Sequence, residues 1–187
     1  RVALVVEMAV NADGTVGAPN LYRAVVKNRA KLAYVAVAAW LDATGPIPSR
    51  AATVPGMEAQ LRLQDQVAQR LREVRHHHGA LSLETIQARP VFQGETLTDL
   101  EVEHPNRARA LIEDFMIAAN GVTARYLEAQ GYPSLRRVLR SPERWARIVE
   151  LAAGLGASLP PDPAAAALDA FLTVRRQADP LRFPALS

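Results

Sequence analysis

The run Asn106-Arg-Ala-Arg-Ala-Leu-Ile-Glu-Asp-Phe-Met-Ile-Ala-Ala-Asn120 sets polar groups at regular intervals in an apolar helical repeat. Read as a helix over 105–130, it places Leu111, Ile112, Phe115, Ala119, Val122 and Tyr126 at three- and four-residue steps, which makes one apolar stripe. Asn106, Glu113 and Asn120 recur at seven-residue steps and form a second line, flanked around Glu113 by Ala110, Met116 and Ile117. An ionised carboxylate among such neighbours is costly unless something pairs with it. Two readings stay open on this pattern. Either Glu113 simply faces water, or the helix lines a polar cleft in which Glu113 and Asn120 meet a ligand.

Working outward, Val2 to Val10 reads as a strand, Asn11 to Gly14 as its turn and Leu21 to Val26 as the returning strand. Lys31 to Ala43 reads as a helix stopped by Gly45-Pro46, and 45–56 as a Pro/Gly/Ser loop. A strongly charged helix runs from Met57 to about Arg75 and ends at His76-His-His-Gly79. Alternation from Ala80 to Phe92, a turn at Gln93-Gly94-Glu95 and a strand from Thr96 to Glu103 predict a second hairpin. The long helix stops at Gly131-Tyr-Pro133. Ser141-Pro142-Glu143 reads as a capped start for a helix to Gly154. A last helix covers Ala164 to Gln177, and the tail after Asp179 reads as a connection cut short. The fold class is α+β, helix-rich, with two β-hairpins packed against several helices.

The chain opens directly in its first strand, with Arg1 where an initiator Met would stand, so an interior segment of a longer polypeptide is expected. Its 187 residues are 49% apolar, enough for a real core, and no apolar run is long enough to span a bilayer. Cysteine is absent, which excludes disulfides, thiol nucleophiles and thiolate metal sites. With no signal-peptide pattern, a cytoplasmic protein is expected. Only Lys27 and Lys31 of the 22 basic residues are lysines, and the net charge of +3 is too small to imply nucleic acid by itself. The placement of charge says more. Arg23, Lys27, Arg29 and Lys31 crowd one segment, and Arg136, Arg137, Arg140, Arg144 and Arg147 another, as a phosphate-tracking surface requires; a solvated helix face reads the same way.

His76, His77 and His78 point in three directions on a helix and cannot converge on one ion, so they read as a solvated helix end. No Gly-rich phosphate loop, Gly-x-Ser-x-Gly or His-Glu-x-x-His pattern occurs, and no Asp cluster of the kind that holds two metal ions. The segment carries no evident catalytic centre or metal site of its own.

Two segments together resemble the catalytic RNB domain of the ribonuclease II/ribonuclease R family, processive 3′→5′ exoribonucleases. The first, Arg29, Ala30, Lys31, Leu32 and Tyr34, matches the family pattern (Arg/Lys)-Ala-(Arg/Lys)-Leu-x-Tyr. The second, Asn106, Arg107, Ile112, Glu113, Met116, Ile117 and Asn120, matches Asn-Arg followed by (Ile/Val)-Glu-Glu-x-Met-(Ile/Leu)-x-Ala-Asn, with Asp114 in place of the second Glu. Arg75, Gly79, Ala80 and Leu81 also look like the family. The resemblance covers nearly the whole chain, as the middle of one RNB domain over 1–187. The family's Asp cluster for Mg²⁺ would lie upstream and its arginine-bearing loop downstream.

The resemblance implies a hydrolase that degrades single-stranded RNA to nucleoside 5′-monophosphates, with Mg²⁺ held outside this segment. It implies substrate contacts by Tyr34, Glu113, Asn120, Arg29, Lys31 and Leu83, the last standing where some members have a base-clamping aromatic. Glu113, read as a buried acceptor, would take a hydrogen bond from a ribose 2′-OH, the group that distinguishes RNA from DNA. Partners would be single-stranded RNA and the rest of the same enzyme, with no membrane. Two other classes remain: a catalytically inactive RNB-like RNA-binding protein, and an α+β protein-interaction module. Because the Asp cluster is missing from the segment, the isolated 187-residue chain is expected to show no Mg²⁺-dependent nuclease activity. Incubation with 3′-labelled single-stranded RNA checks this; chelator-sensitive release of mononucleotides, absent from a mock preparation, would refute it.

Overall fold

The computed structural model describes residues 1–81, 83, 88–102, 105–136 and 143–186. The chain divides into two compact units, 1–74 with 105–136, and 75–104 with 137–187.

The first unit begins with an antiparallel hairpin, β1 (Val2–Val10) and β2 (Val16–Val25), whose register pairs Val2 with Val25 and Val6 with Leu21. Its turn is held by Asn11: the Gly14 amide donates to the Asn11 carbonyl at 3.0 Å, and the Asn11 amide to the Thr15 carbonyl at 2.9 Å. Thr15 donates its hydroxyl and its amide to the Asp13 carboxylate, which holds that carboxyl below its ordinary pKa. Gly14 is required here twice over. Its φ is +81°, and a Cβ would stand 2.8 Å from the Arg70 carbonyl oxygen and 2.7 Å from Val74 Cγ2.

The segment after β2 corrects the sequence reading. Helix α1 spans Tyr34–Leu41, so Lys31 precedes it rather than opening it. Along 29–33, Arg29, Lys31 and Ala33 are exposed while Ala30 and Leu32 are partly buried. That period of two belongs to an extended chain, and Ala33 at the cap is extended as well. Helix starts exactly where tertiary packing begins to reward it: Val37 and Ala38 bury against Ala108, with Leu32 and Leu41 beside them. The expected loop 45–56 contains a short helix, α2 (Ser49–Ala52), whose Ala51 joins Trp40 and Leu61 in a second small core.

Helix α3 (Met57–His77) and helix α4 (Arg107–Ala129) carry the unit's charged interior. The buried stripe of α3 is Leu61, Asp65, Ala68 and Leu71, a carboxylate among three apolar residues. That of α4 is Ala108, Leu111, Asp114 and Val122. Each buried Asp is met by an Arg of the other helix. Arg107 donates from Nε and a terminal nitrogen to the two oxygens of Asp65 at 2.9 and 2.7 Å, a bidentate fork. Arg72 donates from Nε and a terminal nitrogen to Asp114 Oδ2 at 3.1 and 2.7 Å. Both pairs span 42 residues, so α3 and α4 run in the same direction with the polarity of the pairs reversed one heptad on. Helix α4 also packs on β2, β1 and α1. It ends at Gln130, with Gly131 at φ +70° and the Tyr132 amide bonded back to the Leu127 carbonyl.

The second unit takes in the last residues of α3 and the hairpin β3 (Ala88–Gln93) with β4 (Thr96–Val102). Every residue of β4 is exposed. The start expected for the first of these strands, 80–87, lies partly outside the described residues, as does the helix start at Ser141 and Pro142. Helix α5 spans Trp145–Gly154 with Arg144 at its cap, followed by α6 (Ala165–Ala178). The tail is not a bare connection: it turns into α7 (Phe183–Leu186), and Phe183 closes a core of Trp145, Ala152, Leu159, Leu168, Phe171 and Leu172. The Trp145 indole N–H donates to the Pro160 carbonyl at 3.0 Å.

Asp114 is 2% exposed, so Arg72→Met takes from a buried carboxylate the guanidinium that pairs with it. The expected loss is about 3 kcal/mol, the low end for a broken buried pair because Arg72 is partly exposed. Arg72→Met with Asp114→Leu should recover most of it. Chemical denaturation followed by circular dichroism measures both; equal losses in the single and double variants would show that the pair contributes no more than packing.

Candidate nucleic-acid interface

With Leu111, Asp114 and Val122 turned into the unit, the opposite side of α4 is left to solvent. Arg109, Ile112, Glu113, Met116 and Asn120 are all exposed there. Of the two readings open for Glu113, burial does not hold: it is exposed. Asp114, its neighbour, is the buried acid, and Glu113 has no hydrogen-bond or ion-pair partner among the described residues. Hydrophobic periodicity alone could not separate the two, because adjacent helical residues are about 100° apart and either can border the apolar stripe.

The seven-residue polar line also divides by role. Asn106 is the N-cap of α4 and accepts the Arg109 amide at 3.0 Å, so its side chain builds the helix start. Glu113 and Asn120 stay together on the open face.

Tyr34, first residue of α1, stands beside this face. Its ring is 47% exposed, and the Arg109 guanidinium lies 5.9 Å from the ring centroid. The packing of Val37 and Ala38 against Ala108 fixes the two elements that carry them. Arg29 and Lys31 are exposed on the extended run leading into Tyr34, on the same side of that run by its alternation. The first unit thus sets Tyr34 beside Arg109, at one end of an exposed face that Glu113 and Asn120 continue along α4, with two further cations before Tyr34. Sequence reasoning missed Arg109. A signal existed: it lies one helical turn before Glu113 and three residues after a capping Asn.

Other expected residues fall elsewhere. Leu83 is 57% exposed and belongs to the second unit. Arg136 donates to Glu128 at 2.9 Å and to the Ala124 carbonyl at 3.0 Å, at the end of α4. Arg137 and Arg140 lie outside the described residues, while Arg144 and Arg147 are exposed. His76 is a partly buried neighbour of Asp169, with Nδ1 at 3.5 Å from the carboxylate. Among the described residues no three His, Asp or Glu side chains converge as a metal site would need.

A cavity of about 460 Å³ lies between α3 and α4, lined by Asp42, Asp65, Gln69, Arg72, Asn106 and Arg107 among others. Its charged groups are already engaged. Asp65 and Asp42 raise the Arg107 pKa above its ordinary value, first by accepting the hydrogen bonds that Arg107 donates to Asp65, so the clamp stays protonated. Gln69 donates to the same Asp65 carboxylate at 2.7 Å. Among the described residues, no helix is long and apolar enough to cross a membrane.

The chain matches the family model of the RNB domain over residues 1–178. Ribonuclease R of Vibrio parahaemolyticus is 29% identical over 143 residues, which is 76% of this chain and 17% of that protein. Exoribonuclease 2 of Cronobacter sakazakii is 35% identical over 133 residues, 68% of this chain and 20% of that protein. The chain spans about a fifth of the length of the curated relatives it matches. Among solved structures, Mycoplasma genitalium RNase R in complex with ribose-methylated single-stranded RNA has the same fold, with a TM-score of 0.82 over 96% of this chain and 28% of that one, at 17% identity. Its complex with double-stranded RNA gives 0.81 over 96% of this chain and 32% of that one. With the α+β architecture and both matched segments in place, the chain belongs to the RNB domain family.

Proposed function

We propose that this chain is the inner part of the RNB domain of a cytoplasmic 3′→5′ exoribonuclease that hydrolyses single-stranded RNA to nucleoside 5′-monophosphates. The observation that carries this reading is the exposed face of α4 bearing Glu113, with Tyr34 beside its Arg109, Tyr34 and Glu113 both standing at positions matched to the family's motifs. Relatives named ribonuclease R and exoribonuclease 2 support the activity, and the neighbour solved with single-stranded RNA supports the substrate class.

On this reading Tyr34 lies against the nucleotide and the exposed Glu113 carboxylate accepts the ribose 2′-OH. Exposure suits the task better than burial does. A carboxylate in water before binding and hydrogen-bonded to the sugar afterwards is never left stranded, whereas a deoxy substrate would cover it without giving it a donor. Arg29 and Lys31 meet the backbone as exposed cations. Asn120, two turns along α4, extends the polar face towards the next nucleotide. Leu83 would supply an apolar contact to a base in place of an aromatic clamp.

The described residues do not build a Mg²⁺ site, since no carboxylates converge and the two buried ones are taken by arginines. A Mg²⁺ ion that activates water would have ligands outside this segment. What this chain contributes is substrate holding and sugar discrimination, with no membrane involved.

In the full-length protein, Glu113→Gln is expected to lower the ratio of RNA to DNA turnover about ten-fold, the value of one charged hydrogen bond of ~1.5 kcal/mol. Steady-state rates on matched RNA and DNA oligonucleotides measure it. If both rates fall together and the ratio holds, Glu113 supports the fold and does not read the sugar. A full-length protein that binds RNA tightly but releases no mononucleotide with Mg²⁺ would instead favour the inactive RNA-binding class.

A further inference from the structure

Arg109 is the residue of the open face to which neither family motif gives a task. Its backbone is fixed in the first turn of α4 by the Asn106 cap, at 3.0 Å. Its guanidinium lies 5.9 Å from the centroid of the Tyr34 ring, and the neighbouring Ala108 is buried against Val37 and Ala38 of the helix that Tyr34 begins. Tyr34 needs such a support. It opens α1 after an extended Ala33 that makes no side-chain cap, and its ring is nearly half exposed. The same Arg109 precedes Glu113 by one helical turn, yet the two form no ion pair among the described residues. Arg before Glu is the poorer order for a helical pair, in keeping with the absence of an ion pair between these two.

We infer that Arg109 is a positioning residue for substrate recognition: its cation holds the Tyr34 ring in the plane that meets the nucleotide, and so sets the geometry in which Tyr34 and Glu113 read the sugar together. This rests on the reading of Tyr34 and Glu113 under the proposed function. A cation over an aromatic face is an attraction of the ring's quadrupole, so lysine should replace arginine in part and alanine not at all.

The test uses the full-length protein labelled with 3-fluorotyrosine, the Tyr34 ¹⁹F signal being identified by its loss in Tyr34→Phe. Arg109→Ala should shift that signal and Arg109→Lys should shift it less. Arg109→Ala should also lower the RNA-to-DNA turnover ratio about two- to five-fold, as loss of one exposed cation–π contact allows. In a Tyr34→Ala background it should change the ratio no further. An unmoved Tyr34 signal overturns the inference, as does an equal drop in ratio in the Tyr34→Ala background. A parallel weakening of RNA and DNA with a shallower salt dependence also overturns it, and makes Arg109 a phosphate contact. If Tyr34→Ala alone leaves the ratio unchanged, the assignment of Tyr34 to the sugar fails and the task of Arg109 with it. If Tyr34→Ala lowers the ratio while Arg109→Ala does not, only the present inference fails.

Discussion

Two arginine–aspartate pairs of opposite polarity, Arg107 with Asp65 and Arg72 with Asp114, hold the first unit in register. Both aspartates sit on the buried stripes of their helices, where an unpaired carboxylate would be costly, so neither helix can turn or slide without leaving a charge stranded. A packed apolar seam tolerates a shift of a few degrees; a bidentate fork at 2.7–2.9 Å does not. Because the pairs lie seven residues apart on each helix and reverse their sense, a slip of one heptad would face Asp with Asp or Arg with Arg. The pairs therefore specify one arrangement, whatever their net contribution to stability.

The open face follows from that constraint. Once Asp114 and Leu111 are fixed inward, Arg109, Glu113, Met116 and Asn120 have to face out. The packing of Ala108 on Val37 and Ala38 then brings the start of α1, and Tyr34 with it, beside Arg109. Recognition chemistry is thus carried by side chains that take no part in the core, on helices whose rotation is set by side chains that do. The separation lets the face change its polar residues without disturbing the fold, and it explains how Glu113 and Asp114, adjacent in the chain, have unrelated work.

Sequence periodicity made much of this legible. The three- and four-residue stripe of α4, the hairpin alternation on either side of Gly14 and of Gly94, and the stop at Gly131 all express local rules that a chain obeys before it packs. The motif residues Tyr34 and Glu113 could also be singled out, and both are exposed, with Arg109 beside the first and one helical turn before the second. What periodicity could not reach was the state of each group. The sequence reading opens the first helix at Lys31, yet so short a run has little helical stability of its own, and from Arg29 to Ala33 the burial alternates as in extended chain. In the same way seven-residue spacing set Asn106 on one line with Glu113 and Asn120, blind to the fact that it caps the helix rather than lying inside it.

By itself, then, the sequence determined the class of elements, their order and the family motifs, since these depend on spacing along the chain and on backbone preferences of single residues. Only the tertiary structure decided which of two neighbouring acids is buried and which is free, that Arg107 and Arg72 are clamps while Arg109 faces Tyr34, and that Arg136 closes a helix end. The reason is physical. Burial, ion pairing and cation–π contact depend on distances between residues 42 or 75 positions apart, and those distances exist only after the helices have docked.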